Sequence, residues 1–92
     1  MAYVYVLLCE KDGSFYIGST RDISGRLMAH EKGRVEYTKS RLPVKLMFLK
    51  EFDNYSDALV FEMRAKSWKK RKSVLKMFIK EDNIASEYCP VV

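Results

Sequence analysis

The chain predicts an α+β fold, a small three-stranded antiparallel sheet flanked by helices. Three observations predict it. Two apolar runs rich in aromatic and β-branched residues, Tyr3 to Cys9 and Phe15 to Thr20, flank Lys11-Asp12-Gly13-Ser14. A third run, Val44 to Phe52, alternates as a strand does. Two further segments space their apolar residues helically, each behind a capping residue, Asp22 and Ser56. At 92 residues the chain makes one domain with a small core, expected over residues 1–82 and followed by a tail over 83–92.

Tyr3 to Cys9 is apolar on both faces and too short for a buried helix, which marks a central strand. Asp12-Gly13 between apolar runs is a strong hairpin signal, so Phe15 to Thr20 should return antiparallel. A two-residue turn there would set Cys9 opposite Tyr16, Leu7 opposite Gly18 and Tyr5 opposite Thr20. Tyr5, Tyr16 and Gly18 then share one face, the two phenols standing on either side of a residue without a side chain.

With Asp22 as its cap and Gly33 as its stop, the next helix carries Ile23, Arg26, Leu27 and His30 within one arc of about 100°. Arg26 and His30 are therefore neighbours on its inward side. Strand, helix start, phenol, arginine and the single histidine fall within Phe15 to His30, a density of polar chemistry that suits phosphate handling. From Gly33 to Pro43 the chain reads as a basic loop, with Arg34, Lys39 and Arg41 around Tyr37.

Ser56 should start a last long helix reaching about Trp68. Its apolar arc holds Ala58, Phe61, Ala65 and Trp68, and Glu62 falls about 40° from Ala58, inside that arc. A carboxylate there needs a partner, either a metal ion or Lys66 one turn on. Lys69-Lys70-Arg71-Lys72 follows, then a short helix capped by Ser73 with Leu75, Phe78 and Ile79 inward.

Composition narrows the function. Seventeen Lys and Arg against twelve Asp and Glu give a formal charge of +5, which attracts nucleic acid or other polyanions. No segment reaches the ~20 apolar residues of a membrane span, and the apolar start lacks the basic lead of a signal peptide. Cys9 and Cys89 lack metal-ligand spacing and read as small hydrophobes of a reducing cytoplasm.

Tyr3-Val4-Tyr5, Tyr16-Ile17-Gly18, Arg26 with His30, Tyr37-Thr38-Lys39-Ser40-Arg41 before Pro43, and Glu62 form an ordered set. In that set the chain resembles the GIY-YIG endonuclease domain, in particular its small stand-alone bacterial members. The resemblance covers about Tyr3 to Phe78. Tyr3 stands where the family's name has glycine, and the downstream asparagine of larger relatives has no match.

The resemblance implies a metal-dependent endonuclease that hydrolyses DNA phosphodiesters with Mg²⁺ or Mn²⁺, structure-selective or weakly specific, in DNA repair or recombination. Glu62 carries over as metal ligand, Arg26 as phosphate clamp, Tyr5 and Tyr16 as the pair flanking the attacking water, and His30 as their helper. Which phenol is the base stays open, with Tyr16 favoured because it leads into the Arg26 helix. Tyr37, Lys39, Arg41, Lys69 and Lys70 are the expected DNA contacts. No organic cofactor and no membrane are expected. Two alternatives stand beside this: a nucleic-acid-binding module of the same fold with little catalysis, and a protein-interaction domain whose basic face meets an acidic partner.

Overall fold

Both faces of the first strand are apolar because both are covered. A computed structural model describes residues 1–67 and residue 84, in which β1 (Ala2–Cys9) lies between β2 (Ser14–Thr20) and β3 (Val44–Phe52), antiparallel to each. Helix α1 (Ile23–Glu31) follows β2, a short helix α2 (Glu36–Lys39) precedes β3, and α3 (Tyr55–Lys66) follows it. Tyr5, Leu7 and Cys9 join Ile23 of α1 with Val44, Leu46 and Leu49 in one core cluster. On the opposite face Ala2, Val4 and Val6 meet Ala58 and Ala65 of α3, with Phe48 stacked on Phe61, ring centroids 6.0 Å apart.

A bulge at Met47 serves both layers. The pairing with β3 slips from Val6–Phe48 to Leu7–Leu46, which turns Phe48 toward α3 and Leu46 with Leu49 toward α1. Ile84 donates its backbone N–H to the Leu49 carbonyl (2.8 Å) and packs on the α1-side cluster. Cys9 is a buried free thiol.

The hairpin differs from expectation by two residues. Tyr5 faces Gly18, Leu7 faces Tyr16 and Cys9 faces Ser14, leaving a four-residue loop instead of a two-residue turn. Within that loop only Gly13 has a positive φ, 73°, so the turn that needs two such residues does not form. Gly13 N–H closes onto Cys9 O instead (2.7 Å), Glu10 N–H is drawn to Pro43 O (3.0 Å), and Asp12 accepts from Ser14 N–H, Ser14 Oγ and Arg41 Nε. A slip of two keeps every side chain on its predicted face.

Asp22 caps α1 as expected, accepting from Gly25 N–H (3.1 Å), and Gly33 ends it with φ 71°. The cap of α3 is Asn54, not Ser56: its carboxamide oxygen accepts from Asp57 N–H (2.9 Å) while its NH₂ donates to the Asp57 carboxylate (3.2 Å). The basic loop also contains α2, for which the sequence shows no helical period. Trp68, the cluster Lys69 to Lys72, the helix expected from Ser73, and Cys89 lie outside the described residues.

Candidate active site

Because Asp22 caps α1 directly after β2 ends, the first turns of α1 lie over the β1–β2 hairpin. The i, i+4 pair Arg26 and His30 then meets the phenols of Tyr5 and Tyr16. Gly25 lies in the first turn of α1, where a Cβ would run into the capping carboxylate of Asp22. Gly18 has a similar reason. A Cβ there would lie 2.5 Å from Tyr5 Oη and 3.1 Å from Tyr16 Cε1, so the two rings fill the space its missing side chain leaves.

One hydrogen-bonded chain ties these residues together. Arg26 Nε–H donates to Tyr5 Oη (3.1 Å), and Tyr5 Oη lies 3.1 Å from His30 Nε2. His30 Nδ1 lies 2.8 Å from Thr38 Oγ1, which in turn donates to Val35 O (3.4 Å). Arginine only donates, and the threonine proton is committed to Val35. The network therefore assigns the His30 proton to Nδ1 and makes bare Nε2 the acceptor of the Tyr5 proton.

Burial sets the charge states. Tyr5, His30 and Thr38 are all fully buried. Burial pushes the Tyr5 phenol up to about 12, with Arg26 opposing, and pushes the His30 imidazole down to about 4, with the Arg26 charge adding to the effect. The hydrogen bond to Tyr5, above all, holds Arg26 in its charged form. Both Tyr5 and His30 are therefore neutral near pH 7.

Tyr16 is half-buried and accepts a longer bond from Arg26 Nη2 (3.5 Å). Its ring stacks on Tyr5 with centroids 6.1 Å apart and meets His30 edge-on at 4.9 Å.

Glu62 approaches from the other layer. Strand β2 is a sheet edge, and a cleft of about 220 Å³ straddles it, lined by Tyr5, Tyr16, Gly18 and Arg26 from one side and by Glu62 and Lys66 of α3 from the other. Glu62 accepts from Lys66 Nζ at 2.7 Å, side chains 15% and 56% exposed respectively. Of the two partners the sequence allows for Glu62, Lys66 is thus the one engaged, and the pair forms within the cleft.

Among the described residues no three His, Cys, Asp or Glu side chains gather at one point. A divalent cation here would therefore take a single protein carboxylate, with water and phosphate oxygens completing its shell. That donor set fits Mg²⁺, a hard ion that keeps several of its waters.

The expected DNA contacts divide. Tyr37 packs on Tyr16 (centroids 5.4 Å apart) and is exposed at the rim. Arg41 lies over Tyr37, 4.2 Å from its centroid, and is also bound to Asp12 and to Tyr37 O, so it braces the loop. Lys39 is exposed, while Lys69 and Lys70 lie outside the described residues.

Sequence reasoning missed Thr38, the residue that sets the His30 tautomer, because its place depends on α2. It also passed over Tyr55, which lines the cleft from the first turn of α3.

Residues 1–76 match the model of the GIY-YIG catalytic domain. A UPF0213 protein of Bacillus pumilus is 41% identical over 86 residues, covering 92% of this chain and 85% of that protein. Another, of Lacticaseibacillus paracasei, is 46% identical over 65 residues, covering 70% of this chain and 72% of its own length. The solution NMR structure of a UPF0213 protein from Bacillus halodurans superposes with a TM-score of 0.56 at 34% identity, covering 89% of this chain and 88% of that one.

Proposed function

The chain belongs to the GIY-YIG catalytic domain family, whose members are generally nucleases, and from that premise we propose a divalent-metal-dependent endonuclease that hydrolyses DNA phosphodiesters. We place it in the cytoplasm, in DNA repair or recombination, with structure-selective or weakly specific cutting. The observation that carries this reading is the meeting of Arg26, two phenols and the Glu62 carboxylate in one cleft. Binding alone has no use for a carboxylate in an anion-binding groove.

In this reading Arg26 clamps the scissile phosphate. Its Nε and one terminal nitrogen are held by the phenols, which leaves the other terminal nitrogen for a phosphate oxygen. Tyr5 is buried, neutral and committed to His30, so it acts as a positioning residue for Arg26. His30 and Thr38 support it in turn.

Tyr16 is the half-exposed phenol on the cleft and orients the attacking water. In the phenolate form that this role requires, Tyr16 takes the proton that water releases as its oxygen bonds to phosphorus. The ester P–O bond breaks, and the departing oxygen takes a proton from solvent. Glu62 would hold Mg²⁺ or Mn²⁺, which supplies charge neutralisation on the phosphoryl and departing oxygens.

The Glu62–Lys66 pair favours a second reading, a DNA-binding module with little catalysis. One assay separates them: branched, nicked and plain duplexes with Mg²⁺ or Mn²⁺, beside Glu62→Ala and Arg26→Ala. The nuclease predicts cutting that falls by about 100-fold or more in both variants, with DNA binding retained in Glu62→Ala. Binding without any cutting by the wild type selects the module, and neither binding nor cutting overturns both.

A further inference from the structure

A second depression adjoins the cleft. Ser19, Thr20, Arg21, Arg26 and Tyr55 line a shallow basin of about 530 Å³, which shares Ser19, Arg26 and Tyr55 with the cleft. We propose that this basin holds the phosphodiester next to the one clamped by Arg26, with Arg21 as its ligand and Tyr55 as the ring that keeps Arg21 in place. The inference rests on the reading of the cleft as a DNA site.

The charge balance differs between the two depressions. The cleft contains Glu62, whereas the described residues that line the basin are two arginines, two hydroxyls and a phenol, with no carboxylate among them. The nearest acid in sequence, Asp22, is turned onto Gly25 N–H as the helix cap. A polyanion leaving the cleft over Arg26 thus meets a second arginine, Arg21, next.

Arg21 is equipped for that contact. Its guanidinium carbon lies 4.9 Å from the centroid of the Tyr55 ring, and no described residue accepts a hydrogen bond from it or pairs with it. Stacking restrains the side chain without using its N–H donors, which remain for phosphate oxygens. Its backbone has little freedom either. Arg21 lies between the end of β2 and the α1 cap, where Thr20 Oγ1 accepts from Asp22 N–H (3.0 Å) and donates to Asp22 O (3.2 Å). Arg21, in the connection that Thr20 and Asp22 tie together, and Arg26, in the helix that this connection starts, thus both line the basin, an arrangement that suits successive phosphates of one strand.

The test uses the full 92-residue protein and a short DNA duplex without divalent cation, so that nothing is cut, with affinity read by fluorescence anisotropy. Between about 50 and 200 mM salt, Arg21→Ala should lower the slope of log affinity against log salt by about one and weaken binding roughly five- to tenfold at 100 mM. Arg21→Lys should keep the slope. Tyr55→Phe should match the wild type, and Tyr55→Ala should lose part of what Arg21→Ala loses.

An Arg21→Ala protein with wild-type affinity and slope overturns the inference and leaves the nuclease untouched. If Arg21→Ala has lost its fold by circular dichroism, Arg21→Gln is read by the same criterion. A wild type that binds and shows the Arg21 effect, yet never cuts with Mg²⁺, supports the basin and overturns the hydrolytic reading. A wild type that does not bind DNA overturns both.

Discussion

On the α1 wall of the cleft, Tyr5, His30 and Thr38 are fully buried and each spends its polar atoms on the next, ending at Val35 O. On the α3 wall, Glu62 pairs with Lys66 one turn away, and the lysine stands more than half in water. The first wall holds its geometry by packing and low dielectric, where each lost bond leaves an orphaned polar group. Screened and exchangeable, the second holds a single ion pair. The contrast teaches a division of labour: Arg26 is held by a buried hydrogen-bonded network, while Glu62 is held by one ion pair whose lysine faces water.

The largest expected effect tests how dry the first wall is. His30 titrates near 4 in the folded protein against about 6.5 when unfolded, so the unfolded chain binds more protons between those values. Its contribution is complete above pH 6.5 and is lost as pH falls toward 4, at about 1.4 kcal/mol per pH unit and about 3 kcal/mol over the window. Chemical denaturation from pH 7 to pH 4.5 should show that slope, and His30→Gln should remove it. The Asp12 carboxyl is held below its usual range, mainly by its bonds from Ser14. An unchanged slope in His30→Gln would mean that the imidazole is wetter than the structure shows.

A smaller effect tests the same wall by steric means. Gly18→Ala places a methyl against Tyr5 Oη and should cost about 1–3 kcal/mol by overpacking, because the phenol it displaces is tied to both Arg26 and His30. Near-UV circular dichroism should change with it. The contrast is Gly13→Ala, where nothing lies within 4 Å of the new Cβ and only the left-handed backbone, φ 73°, opposes it. That substitution should cost about 1 kcal/mol and leave the tyrosine signals alone.

The comparison also explains what was legible in the sequence. Face assignments were legible, because strand parity and the i, i+4 spacing depend on period alone: Tyr5, Tyr16 and Gly18 share a face, and Arg26 with His30 turns inward. The hairpin register was not, since Asp12 found better partners in Ser14 and Arg41 than in an Asp-Gly turn. Asn54 outcompeted Ser56 as a cap because its amide serves both as acceptor and as donor to Asp57. Thr38 stayed hidden for another reason. A four-residue helix has no period to read, and its place under His30 arises from tertiary packing.

The smallest expected effect lies on the wet wall, and it decides what Lys66 is for. An i, i+4 pair whose lysine is more than half in water contributes about 0.3–0.5 kcal/mol, so Lys66→Met should barely move the melting temperature. The same pair stands against a divalent cation, since the ammonium occupies the carboxylate that the cation would take. Removing it should tighten Mg²⁺ or Mn²⁺ binding by about twofold, the factor that corresponds to that energy. Isothermal titration of the metal into the protein without DNA reads this directly, and Glu62→Gln serves as the zero. Weaker metal binding in Lys66→Met would show instead that the lysine orders Glu62 for the cation, and the α3 wall would then be as preorganised as the α1 wall.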